Sequence, residues 1–164
     1  MILIGLGANL PSPEFGAPPQ SLEAALRHMA DRGLRIGARS RWYRSAPVPP
    51  SDQPWFVNGV IAVGTALDPA ALLEILHTIE ARFGRVRRER NAARVLDLDL
   101  LAYDERVIAE GETPILPHPR LHERAFVLLP LADVAPEWRH PRLGRTVAQL
   151  IEALPPDSVA EPLP

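Results

Sequence analysis

The sequence predicts an α+β fold, an antiparallel sheet with helices packed on one face and extra helices at the C-terminal end. Three observations carry this. Strand-like and helix-like periodicities follow one another in the order β-α-β-β-α-β. Each of the two helical stretches ends at a glycine, the usual C-terminal stop. A chain of 164 residues, 46% apolar and 23% charged, suits one ordinary domain spanning 1–164.

Taken in order, "MILIGLGA" reads as a buried first strand, with Gly5 and Gly7 allowing another backbone or a ligand to come close. No third glycine opens a helix at the required spacing, so the pair is not a dinucleotide fingerprint. A proline-rich loop leads to a helix, "SLEAALRHMADRG", with Ser21 as the expected cap and Gly33 as its end. "LRIGARSRWYRSAP" and "FVNGVIAVGTAL" read as the second and third strands, separated by the stiff polar loop "VPPSDQP". Asp68 and Pro69 mark a second helix start, Leu72, Leu73, Leu76 and Ile79 form its apolar stripe, and Gly84 closes it. "VLDLDLLAY" is the fourth strand, turned back through "DERVIA". "ERAFVLLPLADVA" and "TVAQLIEAL" are expected as short helices, and the tail 155–164 as loose. This order fits a ferredoxin-like split βαββαβ arrangement.

Two absences narrow the chemistry. No cysteine is present, which removes disulfides, thiolate nucleophiles and cysteine-ligated metals. All 18 basic residues are arginine, so neither a P-loop lysine nor a Schiff-base lysine exists. A net charge of −2 argues against general nucleic-acid binding. No apolar run approaches the ~20 residues of a bilayer span, and "MILIGLGANLPSP" lacks a basic leader. A cytoplasmic, monomeric protein without membrane or nucleic-acid partners is expected.

Asp97 and Asp99 alternate with Leu96, Leu98 and Leu100, which puts both carboxylates on one strand face with Cα atoms about 6.5–7 Å apart. Left bare, they would repel. Hard oxygen ligands suit Mg²⁺, although alternating aspartates also decorate solvent-facing edges. Six arginines lie between Arg82 and Arg94, immediately upstream. A solvated basic loop is the ordinary explanation of such a run. Beside an acidic pair, however, arginine forks and a divalent cation are what a nucleoside triphosphate needs. In "LPHPRLHERAF", His118 and His122 stand four apart, but Pro117 and Pro119 break the helix that a metal pair would require. His118 reads better as a hydrogen-bond donor, with Arg124 supplying charge.

These segments resemble the family of 6-hydroxymethyl-7,8-dihydropterin pyrophosphokinases. The likeness is carried by "RNAARVLDLDLLAYD" and "LPHPRLHERAFVLLPLADVAPEW". It extends to "ILIGLGANL", "SRWYRSAPV", "DQPWFVNGV" and "IEARFGRVR", in order from Ile2 to Leu154. The resemblance implies a ferredoxin-like fold and transfer of the β,γ-diphosphate of ATP to the pterin hydroxymethyl group, releasing AMP. It implies that Asp97 and Asp99 hold two Mg²⁺ ions. Arg85, Arg87, Arg94, His118 and Arg124 would face the phosphates, with Arg85 and Arg94 completing the catalytic site. His77 and Glu80 would line the adenosine pocket. Ser45, Val48, Phe56, Asn58 and Phe126, with Asp97, would form the pterin slot. Asn91 and Ala93 stand where many members have Trp and Pro, Phe56 replaces a common tyrosine, and Pro119 an aromatic residue.

Two other readings compete. A Mg²⁺-dependent phosphodiesterase or nuclease would use the same aspartate pair but needs a further base to position water. A non-catalytic RNA-binding module of ferredoxin-like fold would want exposed aromatics, and only 5% of residues are aromatic. Residues 82–93 are polar, charged and small, with no apolar stripe. The sequence therefore predicts a lid that is mobile alone and ordered around substrates. Hydrogen exchange with and without an ATP analogue plus pterin tests this. Strong protection in both states would rule the lid out.

Overall fold

Residues Ile2–Ala8 form β1, buried along its whole length. In the computed structural model, which describes residues 1–84 and 94–164, this strand lies inside the sheet, next to its β5 edge. It pairs antiparallel with β4 (Phe56–Gly64) on one side and β5 (Asp97–Tyr103) on the other. β4 also carries β2 (Arg35–Arg39) and β3 (Tyr43–Ser45), and β6 (Ala160–Pro162) joins β3 at the far edge. A strand covered on both faces reads as an unbroken apolar run, and β1 does so.

Two crossover helices, α1 (Pro18–Asp31) and α2 (Pro69–Arg82), share one face, as expected. There Leu22, Met29, Leu72 and Leu76 pack with Ile4, Leu6, Leu98 and Leu100. The extra helices, α3 (Ala125–Val134) and α4 (Val147–Glu152), lie on the opposite face, around Leu3, Val60 and Leu101. Their reason is visible in β5. Its register with β1 slips at Leu3/Ile4, leaving Leu101 as an extra residue. Leu101 and Ala102 thus both turn to the α3/α4 face while Leu100 and Tyr103 join the α1/α2 core, and each face needs a cover.

Three sequence expectations are corrected. Helix α1 begins at Pro18 with Ala17 as its cap, because Pro18 and Pro19 preset the first helical turn. Ser21 lies inside that turn and donates to the Pro18 carbonyl at 3.0 Å. The single expected strand over 34–47 is two strands. Between them the Ser40 amide donates to the Val60 carbonyl, the Val60 amide donates to the Ser40 Oγ in place of a backbone acceptor, and the Trp42 ring lies across Gly59. Finally, the tail is not loose. β6 pairs with β3, the Leu163 amide donates to the Trp42 carbonyl, and Arg44 binds Glu161 at 2.8 Å. Proline at an edge strand loses no ladder bond, so its abundance misled.

Since Leu98 and Leu100 join the α1/α2 core, Asp97 and Asp99 point to the α3 side. The cross-strand partners Asp97, Gly7, Asn58 and Tyr43 make one row over four strands. A Cβ at Gly7 would stand 2.8 Å from Asn58 Oδ1. Gly7→Ala should therefore lower stability by about 1–3 kcal/mol, the usual penalty for overpacking. Urea unfolding measures it, and wild-type stability would mean the amide is not held over Gly7.

Candidate active site

On the α3 side of the sheet, polar residues gather at the N-terminal half of β5 and the adjoining ends of β3 and β4. Ser45 and Asn58 are buried there, 2% and 5% exposed. The Asn58 amide donates to Ser45 Oγ at 2.7 Å, which fixes its plane and leaves its carbonyl over Gly7. Phe56 lies two residues earlier on the same face of β4, and Phe126 comes from the first turn of α3. Of the five pterin-slot residues, the structure thus brings Ser45 and Asn58 into contact and sets Phe56 and Phe126 on their side of the sheet. Val48 sits in the connecting loop and is 63% exposed.

Asp97 is not bare: the Arg94 guanidinium lies 3.1 Å from its carboxylate, and both side chains are mostly buried. Arg124 is held nearby. Burial draws its guanidinium below the ordinary arginine range, while Asp99 and Asp97 pull the other way. His118 is pushed down to about 4, first by burial and then by the positive charge of Arg124. Its Nδ1 accepts the Arg120 amide at 3.2 Å, so in the neutral ring Nε2 carries the proton. His118 is a fixed donor. A cleft of about 280 Å³ is lined by His77, Asp99, Thr113, Ile115 and His118, among others. Glu80 is not among its lining residues. Arg85 and Arg87 lie outside the described residues.

Among the described residues no group of three or more His, Asp or Glu could hold a metal ion. Two carboxylates on one strand face therefore form an oxygen-only, incomplete ligand set. That chemistry fits a hard cation which keeps waters and takes phosphate oxygens, and does not fit a closed structural zinc site.

One residue escaped the sequence reading. Asn9 is 2% exposed. Its carbonyl accepts the Arg94 amide at 2.8 Å, and its amide donates to Gln53 Oε1 and the Pro54 carbonyl. The Asn9 and Leu10 amides donate back to the Arg94 carbonyl. Asn9 thereby ties the entry to β5 to the loop that carries Val48. The available signal was a lone amide directly after an apolar strand.

An antiparallel α+β sheet that gathers an acid pair, two arginines and a histidine donor around β5, with Asp99 and the histidine lining a cleft, suits phosphate-group transfer. The comparisons with known proteins agree. Residues 3–136 match the model of the 7,8-dihydro-6-hydroxymethylpterin-pyrophosphokinase (HPPK) family. A 2-amino-4-hydroxy-6-hydroxymethyldihydropteridine pyrophosphokinase of Synechocystis is 40% identical over 92% of this chain and 74% of its own. That of Methylorubrum extorquens is 41% identical over 95% and 94%. The crystal structure of wild-type Plasmodium falciparum HPPK-DHPS with STZ-DHP shares the fold, with a TM-score of 0.69 at 16% identity. It is matched over 92% of this chain and 42% of that one, so this chain spans less than half its length. The chain belongs to the HPPK family and is a pyrophosphokinase of folate biosynthesis.

His118 is depressed from 6.5 to about 4, so the unfolded chain binds its proton more readily than the folded one. The neutral ring's stability contribution is therefore fully present above about 6.5 and lost as pH falls toward 4. An imidazole NMR titration should show no protonation of His118 between pH 8 and 6. A midpoint near 6.5 would mean the ring is not desolvated.

Proposed function

We propose that this chain moves the β,γ-diphosphate of ATP onto the hydroxymethyl oxygen of 6-hydroxymethyl-7,8-dihydropterin, and releases AMP. The observation that carries this reading is the row Asp97–Gly7–Asn58. Two strand spacings separate its ends by about 10 Å, room for a flat bicyclic ring and its one-carbon arm above a glycine. Asn58 both donates and accepts, which matches an amide-edged heterocycle, and Phe56 and Phe126 supply faces for stacking. At the other end of the row the arm's hydroxyl meets Asp97.

The pterin oxygen attacks the β-phosphorus. The bond from that phosphorus to the α,β-bridging oxygen breaks, and AMP leaves with that oxygen while the hydroxyl proton passes to solvent. His118, a neutral donor, holds a phosphate oxygen through Nε2–H, and Arg124 adds charge from the same side. His77 lines the nucleoside end of the cleft. Asp97 and Asp99 would hold two Mg²⁺ ions, which when bound neutralise the β- and γ-oxygens and acidify the hydroxyl. Arg94 already sits on Asp97 as a cation, within reach of phosphate oxygens bound beside that carboxylate. The pairing with Arg94 also means that Asp97→Ala costs stability as well as a ligand. Arg85 and Arg87 belong to this proposal through the family resemblance alone. The same proposal has the protein acting as a cytoplasmic monomer, and light scattering at working concentration checks its size.

Protein, ATP, Mg²⁺ and the pterin should give AMP. Formation of ADP instead would overturn the reading. Asp99→Ala should nearly abolish turnover while the protein still melts cooperatively. Arg94→Ala should lower kcat by about 10³-fold with little change in pterin affinity, as for other cations that act on the transferred phosphate. Pterin titration by fluorescence and steady-state rates separate the two, and an equal loss in both would make Arg94 a binding residue only.

A further inference from the structure

Strand β5 is the outer strand of the sheet, and among the described residues no strand pairs with its free side. An edge strand presents unpaired amides, and those that are buried must find an acceptor. Leu98 is 2% exposed, stands between Asp97 and Asp99, and its amide points outward toward α2. The acceptor is Glu80. Its side chain, also 2% exposed, reaches from the last turns of α2 and takes the Leu98 N–H at 2.8 Å. Its chain neighbours on α2 and at its end, Ile79 and Phe83, belong to the apolar core of that face. A buried carboxylate serves no solubility or surface role.

We propose that Glu80 is a positioning residue for the Asp97–Asp99 pair. It clamps the backbone at the one position from which both neighbouring side chains are aimed to the opposite face. The family resemblance puts Glu80 in the adenosine pocket; in the fold it stands behind the strand, absent from the cleft lining that His77 joins. The clamp works through geometry. Two carboxylates projecting from a strand free to twist would hold a pair of cations loosely, and groups that orient metal ligands typically control about 10–100-fold in metal affinity. This inference rests on the reading of Asp97 and Asp99 as Mg²⁺ ligands.

Glu80→Gln and Glu80→Asp separate the clamp from a charge or a nucleotide contact. Glutamine keeps an acceptor at the same reach and loses the charge. Aspartate keeps the charge and withdraws it by about 1.5 Å, beyond hydrogen-bond distance of Leu98. Mn²⁺ binding is read by electron paramagnetic resonance with a non-hydrolysable ATP analogue, and AMP binding by calorimetry without metal. The expected result is Mn²⁺ affinity near wild type for Glu80→Gln, at least about tenfold weaker for Glu80→Asp, and unchanged AMP affinity for both. Should Glu80→Asp fail to fold, Glu80→Met, which fills the space without an acceptor, takes its place with the same expectation. Equal Mn²⁺ affinities in the two variants, a loss in Glu80→Gln alone, or weakened AMP binding in both would overturn the clamp. Wild-type Mn²⁺ uptake that is indifferent to Asp99→Ala would overturn the metal reading itself and this inference with it.

Discussion

The Asn58 carbonyl can rest against β1 only because position 7 has no side chain. That one omission sets the geometry of the whole polar face. With Gly7 between them, Asn58 and Asp97 stand on either side of a shallow floor, one strand spacing from it in each direction. A side chain there would fill the floor and push the amide off Ser45. Because β1 is buried on both faces and paired on both edges, it cannot shift to relieve such a clash. The floor is therefore as rigid as the core beneath it.

Charge on this face is controlled by burial as much as by sequence. His118 stays neutral because the protein dries it and Arg124 stands near, so it offers a proton donor with no net charge. Arg124, partly desolvated itself, remains cationic beside Asp99 and Asp97. Arg94 compensates Asp97 directly. The result is a site whose opposed charges are held close, so that an incoming polyphosphate and its cations exchange partners with groups already in place. Little solvent reorganisation then accompanies binding, which is the property electrostatic preorganisation requires.

Much of this was readable from the residues, and the parts that were not have physical reasons. Period-two alternation put Asp97 and Asp99 on one face, and Asp68 with Pro69 marked the start of α2, where Asp68 caps the Ala71 amide. The bulge at Leu101 was hidden, since two adjacent leucines look alike in any register. Ser21 resembled a cap because local propensity cannot tell a serine before a helix from one inside its first turn. The tail was misread because composition reports the freedom of an isolated segment, whereas β6 is held by a partner over a hundred residues away. Asn9 and Glu80 share that cause. Each acts on the backbone of a segment distant in the chain, and single-sequence spacing carries no trace of such a bond.

The place of β1 between β4 and β5 has a further consequence, for the order in which the molecule can assemble. Strand β1 is made before either of its partners: Gly7 must await Asn58 on one side and Asp97 on the other. Until β5 is complete, an apolar seven-residue strand has at least one open edge. Contacts of such long sequence separation place the fold among the slower two-state topologies, and leave the emerging chain exposed to pairing with copies of itself. The register that defines the site thus makes β1 an aggregation risk during synthesis.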